Sequence, residues 1–264
     1  MFRYPTIAAG LIMLGAGAAA HAGTVTLQGT IRDFCAPDIA NSCTRLTDFE
    51  GAIPGVVTGM VAPTLTGGLP TPGPNLAAGA SSAGNLAKWF VDSPGFNVSA
   101  DYDVTLTEGA PGVFSYANNA FFPIDGQLLG NQGRAHNYHF TLQLEGLLSF
   151  DDPTAGADYF FTFTGDDDLW VYVNEQLFLD LGGVHGAASA SFTEEDLKAG
   201  GLLPGTQYLL DIFFAERHTT QSNFAITTTL VVDSPELPEP GSLALLGFGL
   251  AGLGLARRRR STPA

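Results

Sequence analysis

Tyr159-Phe160-Phe161-Thr162-Phe163-Thr164-Gly165-Asp166-Asp167-Asp168-Leu169-Trp170-Val171-Tyr172-Val173 reads as a strand, an acidic corner and a second strand. Both flanks are short and rich in aromatic and β-branched residues, the side chains that fit a pleated, half-buried surface. Asn174-Glu175 follows, and because asparagine accepts a positive φ it suits a hairpin turn into a third run, Gln176–Leu181. Moving outward, apolar residues recur with period two: Val25, Leu27 and Ile31; Tyr138, Phe140, Leu142 and Leu144; Tyr208, Leu210, Ile212 and Phe214; Phe224, Ile226, Thr228 and Leu230. That period marks half-buried strands. Helical signals are confined to Asn85–Phe90 and a turn opened by Thr193, with Asp196 at capping-box spacing. The pattern is that of an all-β domain of roughly 210 residues, which one sandwich or barrel accommodates.

Two segments depart from this regularity. Gly51–Gly84 holds eight glycines and five prolines and shows no periodicity, so it is expected to be a long surface excursion from a single domain. Asp166-Asp167-Asp168 places three carboxylates in succession, and these repel unless they are solvated or share a cation. Two readings stay open for it. One is a solvated acidic turn; the other is calcium, which takes six to eight oxygens and tolerates irregular geometry, although the spacing of an EF-hand loop is absent. His185, between glycines, reads as a packed, hydrogen-bonded histidine or as a ligand contact. In Glu216-Arg217-His218 the first two residues suit an internal ion pair, or Arg217 and His218 begin a loop that meets a ligand. Trp170 and Tyr172 suit a sheet face, with stacking on a sugar ring as the alternative.

Charge separates the chain into three parts. The formal net charge is −15, but Arg3 and Arg257–Arg260 lie in terminal segments, so residues 23–240 hold six basic against 26 acidic residues, a net −20. So acidic a domain repels phosphate backbones, which excludes nucleic acid as a partner. Residues 1–22 have the grammar of a secretory signal: Arg3, an apolar stretch Ile7–Ala20, and Ala20-His21-Ala22 as a small-x-small cleavage site before Gly23. Export places Cys35 and Cys43, the only cysteines, where a pair usually forms a disulfide. At the other end come Pro238-Glu239-Pro240, the apolar run 241–256 and four arginines. Sixteen helical residues reach roughly 24 Å, so the run is expected to be a short transmembrane helix aided by snorkelling arginines, with its basic end cytoplasmic. This tail resembles the PEP-CTERM sorting signal of Gram-negative bacteria. The resemblance implies recognition by an exosortase during export, transient anchoring in the inner membrane, and a final place at the cell surface or in the extracellular matrix. The string Gly247-Phe248-Gly249-Leu250-Ala251-Gly252 satisfies a dinucleotide fingerprint only in spelling, since no βαβ unit surrounds it.

The stretches Phe161–Val171, Asp180-Leu181-Gly182-Gly183-Val184-His185-Gly186 and Asp211-Ile212-Phe213-Phe214-Ala215-Glu216-Arg217-His218 resemble successive signatures of the fibro-slime domain. Gly29–Phe34, Trp89–Gly95, Phe121–Asp125 and His136–Phe140 extend the likeness across about Thr24–Val232. Fibro-slime domains are similar to the protective-antigen-like β-sandwich superfamily, which includes flocculin and adhesin lectins. The resemblance therefore implies a single antiparallel β-sandwich over residues 23–234, between the signal peptide 1–22 and the sorting tail 235–264. It also implies calcium held by Asp166 and Asp167, joined by a cis peptide, with Asn223 as a later ligand. Arg217, His218 and His185 are then the expected contacts to a glycan or exopolysaccharide. Where the family usually has Asn-Gly-Lys in the hairpin, this chain has Asn174-Glu175-Gln176. No nucleophile elbow, H-E-x-x-H motif or phosphate loop is present, and nothing pairs carboxylates as a glycosidase requires. The expected function is a non-enzymatic, exported carbohydrate-binding or adhesion module. A structural protein of the biofilm matrix is the alternative.

Overall fold

The computed structural model describes residues 23–36, 43–152 and 159–234; the signal segment and the tail with its apolar run 241–256 lie outside the described residues. Among the described residues twelve strands carry the fold: β1 (Thr24–Phe34), β2 (Asn97–Asp101), β3 (Val104–Ala110), β4 (Val113–Asn118), β5 (Phe140–Ser149), β6 (Phe160–Asp166), β7 (Asp168–Val173), β8 (Gln176–Leu181), β9 (Ala188–Thr193), β10 (Tyr208–Glu216), β11 (Asn223–Thr228) and β12 (Val231–Asp233). Among the described residues helices are limited to α1 (Ala83–Leu86) and α2 (Glu194–Ala199), and neither is long and apolar enough to cross a membrane. All pairings between these strands are antiparallel.

The strands form two sheets that share β1. Thr24–Leu27 pairs with β3 in a sheet ordered β1-β3-β4-β11-β6-β9, and Gln28–Asp33 pairs with β5 in a sheet ordered β8-β7-β10-β5-β1-β2. Gly29 sits at the change of partner, where an added Cβ would come within 2.5 Å of the Gln143 carbonyl oxygen. Between the sheets lies a core of Leu27, Ile31, Phe121, Phe140, Leu142, Leu144, Phe161, Phe163, Val171, Ile212, Phe214, Phe224 and Ile226, among others. These are largely the residues that period-two alternation placed inward. The fold is thus the all-β antiparallel sandwich expected.

Gly51–Gly84 departs from expectation. Instead of a surface excursion, it forms a layer over the outer face of the second sheet, where Met60, Val61, Leu65 and Leu76 are buried against Trp170, Tyr172 and Phe213. Short backbone bridges tie it down, with Val57 to Gly182 and Thr64 to Gln176. The segment lacks periodicity because its apolar residues reach the sheet from irregular backbone. As a result β7 is buried along its whole length: Leu169, Val171 and Val173 face the inner core, while Trp170 and Tyr172 face the outer one. Trp170 donates Nε1–H to Asp180 and the Tyr172 hydroxyl donates to the Ala62 carbonyl, so neither ring is free to stack on a sugar.

Local signals mostly hold. Asn174 and Glu175 both adopt positive φ, 51° and 63°, closing the β7–β8 hairpin without a glycine. Thr193 and Asp196 form the reciprocal capping box at the start of α2. The first helix begins two residues earlier than expected, because the Ser82 side chain accepts from the Asn85 amide and so caps it at Ala83. Cys35 and Cys43 are joined in a disulfide with Cα atoms 6.0 Å apart.

Candidate functional site

Three neighbouring strand pairs each send the chain from one sheet to the other at the same end of the sandwich. β6 passes to β7 through Asp166-Asp167-Asp168, β8 passes to β9 through residues 182–187, and β10 passes to β11 through residues 217–222. β7 lies between β8 and β10, and β6 lies between β9 and β11, so the two longer crossovers flank the aspartates. Residues far apart in sequence are placed by register: Asn223 is opposite Asp166, Gly165 is opposite Ala188, and Ala215 is opposite Asp168.

The aspartates are held from both sides. Asp166 and Asp167 are joined by a cis peptide bond. Asp166 accepts from the Asn223 backbone amide, and its Oδ2 accepts from Asn223 Nδ2 at 2.8 Å. Asp167 accepts from the amide of His185 on one flank, at 3.1 Å, and of Arg217 on the other, at 2.9 Å. Asp168 accepts from Gly183 N at 2.6 Å and from Arg217 through Nε at 2.5 Å and Nη2 at 3.1 Å. All three residues are buried.

This geometry corrects the expectation for Arg217. Its side chain is fully buried, bonded to Asp168 and to the carbonyls of Asp48 and Gly79, and its guanidinium lies 4.9 Å from the Trp89 ring. The cation is thereby committed to Asp168 and the outer layer, so it does not face a ligand at the surface. Nor does Arg217 pair with Glu216. Glu216 follows Phe214 in the inward-facing alternation of β10, is completely buried, and accepts from the His218 amide. The sequence carried that signal: the same period that buries Ile212 and Phe214 buries Glu216.

Asp166, Asp167, His185 and His218 line one cavity of about 90 Å³, closed by Ile53, Val184, Gly186, Thr220 and Gln221. His185 is nearly buried, with Nδ1 2.8 Å from its neighbour's carbonyl oxygen at Gly186, so it is packed and lines the cavity at once. His218 is partly exposed, its Nδ1 3.0 Å from the Thr219 carbonyl oxygen and its Nε2 3.6 Å from Glu50. Glu50, from the segment before the outer layer, also receives His139 Nε2 at 3.0 Å and the Thr219 amide at 2.9 Å. Burial raises the Glu50 carboxyl, but the bonds from His139 and Thr219 outweigh it and hold the group at about 2. Glu50 and Ile53 were absent from the sequence-derived site because nothing in an aperiodic segment indicates which strand end it covers.

The carboxyls facing the cavity are short of positive charge. Burial, then the neighbouring charge of Asp168, pushes Asp167 up to about 8, against the opposing influence of Arg217. Burial also raises Asp166. Glu216 is raised well above its ordinary value by burial and then by Asp167 and Asp166. Among the described residues no three His, Cys, Asp or Glu side chains converge as a metal-binding group. Asp166, Asp167 and Asn223 contribute oxygen donors of the kind a hard cation takes, and carbonyl or water oxygens would have to complete its shell. A much larger depression, about 550 Å³, lies elsewhere, on the outer face of the second sheet.

Residues 115–243 match the PA14 domain and residues 236–260 match the PEP-CTERM protein-sorting motif. Protein psiQ of Dictyostelium discoideum is 40% identical over 169 residues, which cover 58% of this chain and 16% of psiQ. Protein psiD of the same organism is 40% identical over 150 residues, 54% of this chain and 28% of psiD. The chain thus spans only a minor part of these relatives. Among solved structures, the PA14 domain of the MpAFP antifreeze protein is 10% identical with a TM-score of 0.35, covering 86% of this chain and all of that one. The PA14 sugar-binding domain from an RTX adhesin is 13% identical with a TM-score of 0.33, covering 79% and 94%. Residues 115–243 are thus similar to the PA14 domain, as the fibro-slime signatures implied, and residues 236–260 to the PEP-CTERM protein-sorting motif.

Proposed function

We propose that this protein is an exported, non-enzymatic carbohydrate-binding module of the adhesion type, sorted by an exosortase and using calcium at Asp166, Asp167 and Asn223 to hold a glycan. The PA14 match supports the binding class, and the PEP-CTERM match supports the sorting route. In the same reading, residues 1–22 are the removed signal peptide, 23–234 the working domain and 235–264 the sorting tail. The tail anchors the precursor in the inner membrane of a Gram-negative cell until it reaches the surface or matrix.

The observation that carries the cation is the unequal treatment of adjacent carboxylates. Asp168 has a buried guanidinium of its own, whereas Asp166 and Asp167 meet only amide hydrogens and face the cavity beside a buried Glu216. A divalent cation supplies the missing charge and accepts sugar hydroxyls as further oxygen ligands. The Asn223 side chain would then present its oxygen end in place of the nitrogen that now donates to Asp166. A cavity of about 90 Å³ is well below the ~300–1,000 Å³ that encloses a drug-sized ligand, so a sugar would be held by one edge at the mouth. His218 and Ile53 lie at that mouth; Ile53 is 64% exposed.

Retention on immobilised polysaccharides, compared in calcium and in EGTA for wild type and Asp167→Ala, tests this reading. Calcium-dependent retention that the substitution abolishes is expected. A protein retained equally in EGTA would contradict calcium dependence. One retained on no polysaccharide would favour a structural matrix role.

A further inference from the structure

A fourth segment crosses between the sheets at the end that holds the aspartate cavity. Residues 119–139 carry β4 to β5, leaving the first sheet at Asn118, opposite Phe224, and entering the second at Phe140, opposite Glu216. The Phe121 amide donates to the Ser222 carbonyl at 2.9 Å, which lays this segment against the 217–222 crossover. β11 separates β4 from β6, so the segment approaches that crossover from the side away from Asp166. Two strand spacings, roughly 10 Å, lie between them. The intervening crossover exposes Thr220 and Gln221, which also line the cavity.

Three rings of this segment pack on one another. Phe122 and His136 stack with centroids 3.9 Å apart and planes 9° from parallel, and Tyr138 meets both edge-on, at 5.0 and 5.8 Å. Asp125 fixes the arrangement: its Oδ2 lies 2.6 Å from His136 Nδ1, and its Oδ1 accepts from the Asn137 amide at 2.7 Å. Core packing explains Phe121, which is fully buried, and Tyr138, which is 8% exposed. It does not explain the stacked pair. Phe122 is only partly buried and the His136 side chain is 40% exposed, so two rings are held in a fixed orientation at the surface. Among the described residues no hydrogen bond reaches His136 Nε2. Rings held in this way suit the C–H face of a pyranose, whose partly positive hydrogens meet the negative face of an aromatic system. Nε2 can exchange a hydrogen bond with a sugar hydroxyl, and because Asp125 takes Nδ1–H it accepts when the imidazole is neutral. Little side-chain freedom remains to be lost on binding.

We infer that Phe122 and His136 form a further subsite of the glycan site, stacking on an uncharged pyranose that lies farther along the chain from the sugar at the cation. The inference rests on the proposed cation site and names its ligand class: an oligosaccharide laid over Thr220 and Gln221, not a single sugar. Asp125, beside the stack, disfavours an anionic ring there. One stacked ring adds about two- to ten-fold in affinity, too little to retain a glycan by itself, so binding still requires the cation.

Calorimetric titration in calcium tests it, for wild type, Phe122→Ala and His136→Ala, with the methyl glycosides and hexasaccharides of the cello-, malto- and manno- series as probes. In a series that binds, the wild type is expected to hold the hexasaccharide about two- to ten-fold more tightly than the methyl glycoside. Either substitution should remove that gain and leave the affinity for the methyl glycoside unchanged, which also shows that the variant is folded. Phe122→Tyr, which keeps the stack, should keep the gain. A hexasaccharide bound no more tightly than the methyl glycoside, a gain that survives both substitutions, or equal weakening of both ligands would overturn the subsite and leave the cation site standing. Binding of none of the probes in calcium would overturn the two together.

Discussion

Asp168 and the pair Asp166–Asp167 are consecutive in the chain and opposite in circumstance. Asp168 faces the outer layer, where Arg217 gives it a two-pronged ion pair and Gly183 a backbone amide. Asp166 and Asp167 face the end cavity and have amide donors alone; burial raises both, and at Asp167 the charge of Asp168 adds to it. The contrast falls within three consecutive residues. One carboxylate is neutralised within the protein and joins the two layers of the fold. The other two are left short of a cation, and the same crossovers that restrain them open them to the cavity.

The largest effect should come from the structural member. Asp168→Ala leaves a buried guanidinium without its partner, and urea unfolding should show a loss of about 3–5 kcal/mol that is the same in calcium and in EGTA. A loss that depended on calcium would assign Asp168 to the binding site and dissolve the distinction.

Glu50→Gln sharpens the comparison from the other side, since Glu50 positions the crossover that carries His218. Replacing a carboxylate that accepts charge-assisted bonds should cost about 1–2 kcal/mol near neutral pH. The folded-state pKa, about 2, lies below the ordinary 4.5, so this stability is present above pH 4.5 and lost as pH falls toward 2. The acid limb of the wild-type stability curve should therefore be steeper than that of Glu50→Gln in that window. Parallel curves would show that Glu50 does not hold the loop through its charge.

The smallest effect belongs to the hairpin that follows β7. Glu175 adopts φ 63°, a region L side chains populate reluctantly, and its neighbour Asn174 tolerates it better. Glu175→Gly should stabilise by about 0.5–1 kcal/mol in thermal unfolding without altering calcium response. A destabilised variant would mean that the Glu175 side chain is needed in place.

How far the sequence revealed this arrangement follows from the range of the forces involved. Alternation is local, so β5, β10 and β11 were legible, and so was the corner at Asp166. The same signal was present but unread in Val104-Thr105-Leu106 of β3, where Val104 and Leu106 are buried and Thr105 is exposed. The division among the three aspartates was not legible. It is set by Arg217, 49 residues away, and by the carbonyls of Asp48 and Gly79, which no local pattern brings together. Only the resemblance to a known family placed Asn223 in the site, and the sheet register puts it opposite Asp166.

In the proposed site calcium goes to Asp166 and Asp167 and not to Asp168. Unfolding free energy measured across a calcium titration, for wild type and Asp167→Ala, tests it most directly. A ligand that prefers the native state stabilises it by about 2.7 kcal/mol at a hundred times its dissociation constant. A gain of that order is expected for the wild type and none for Asp167→Ala. A wild-type curve unmoved by calcium, or a gain retained in full by the variant, would contradict it.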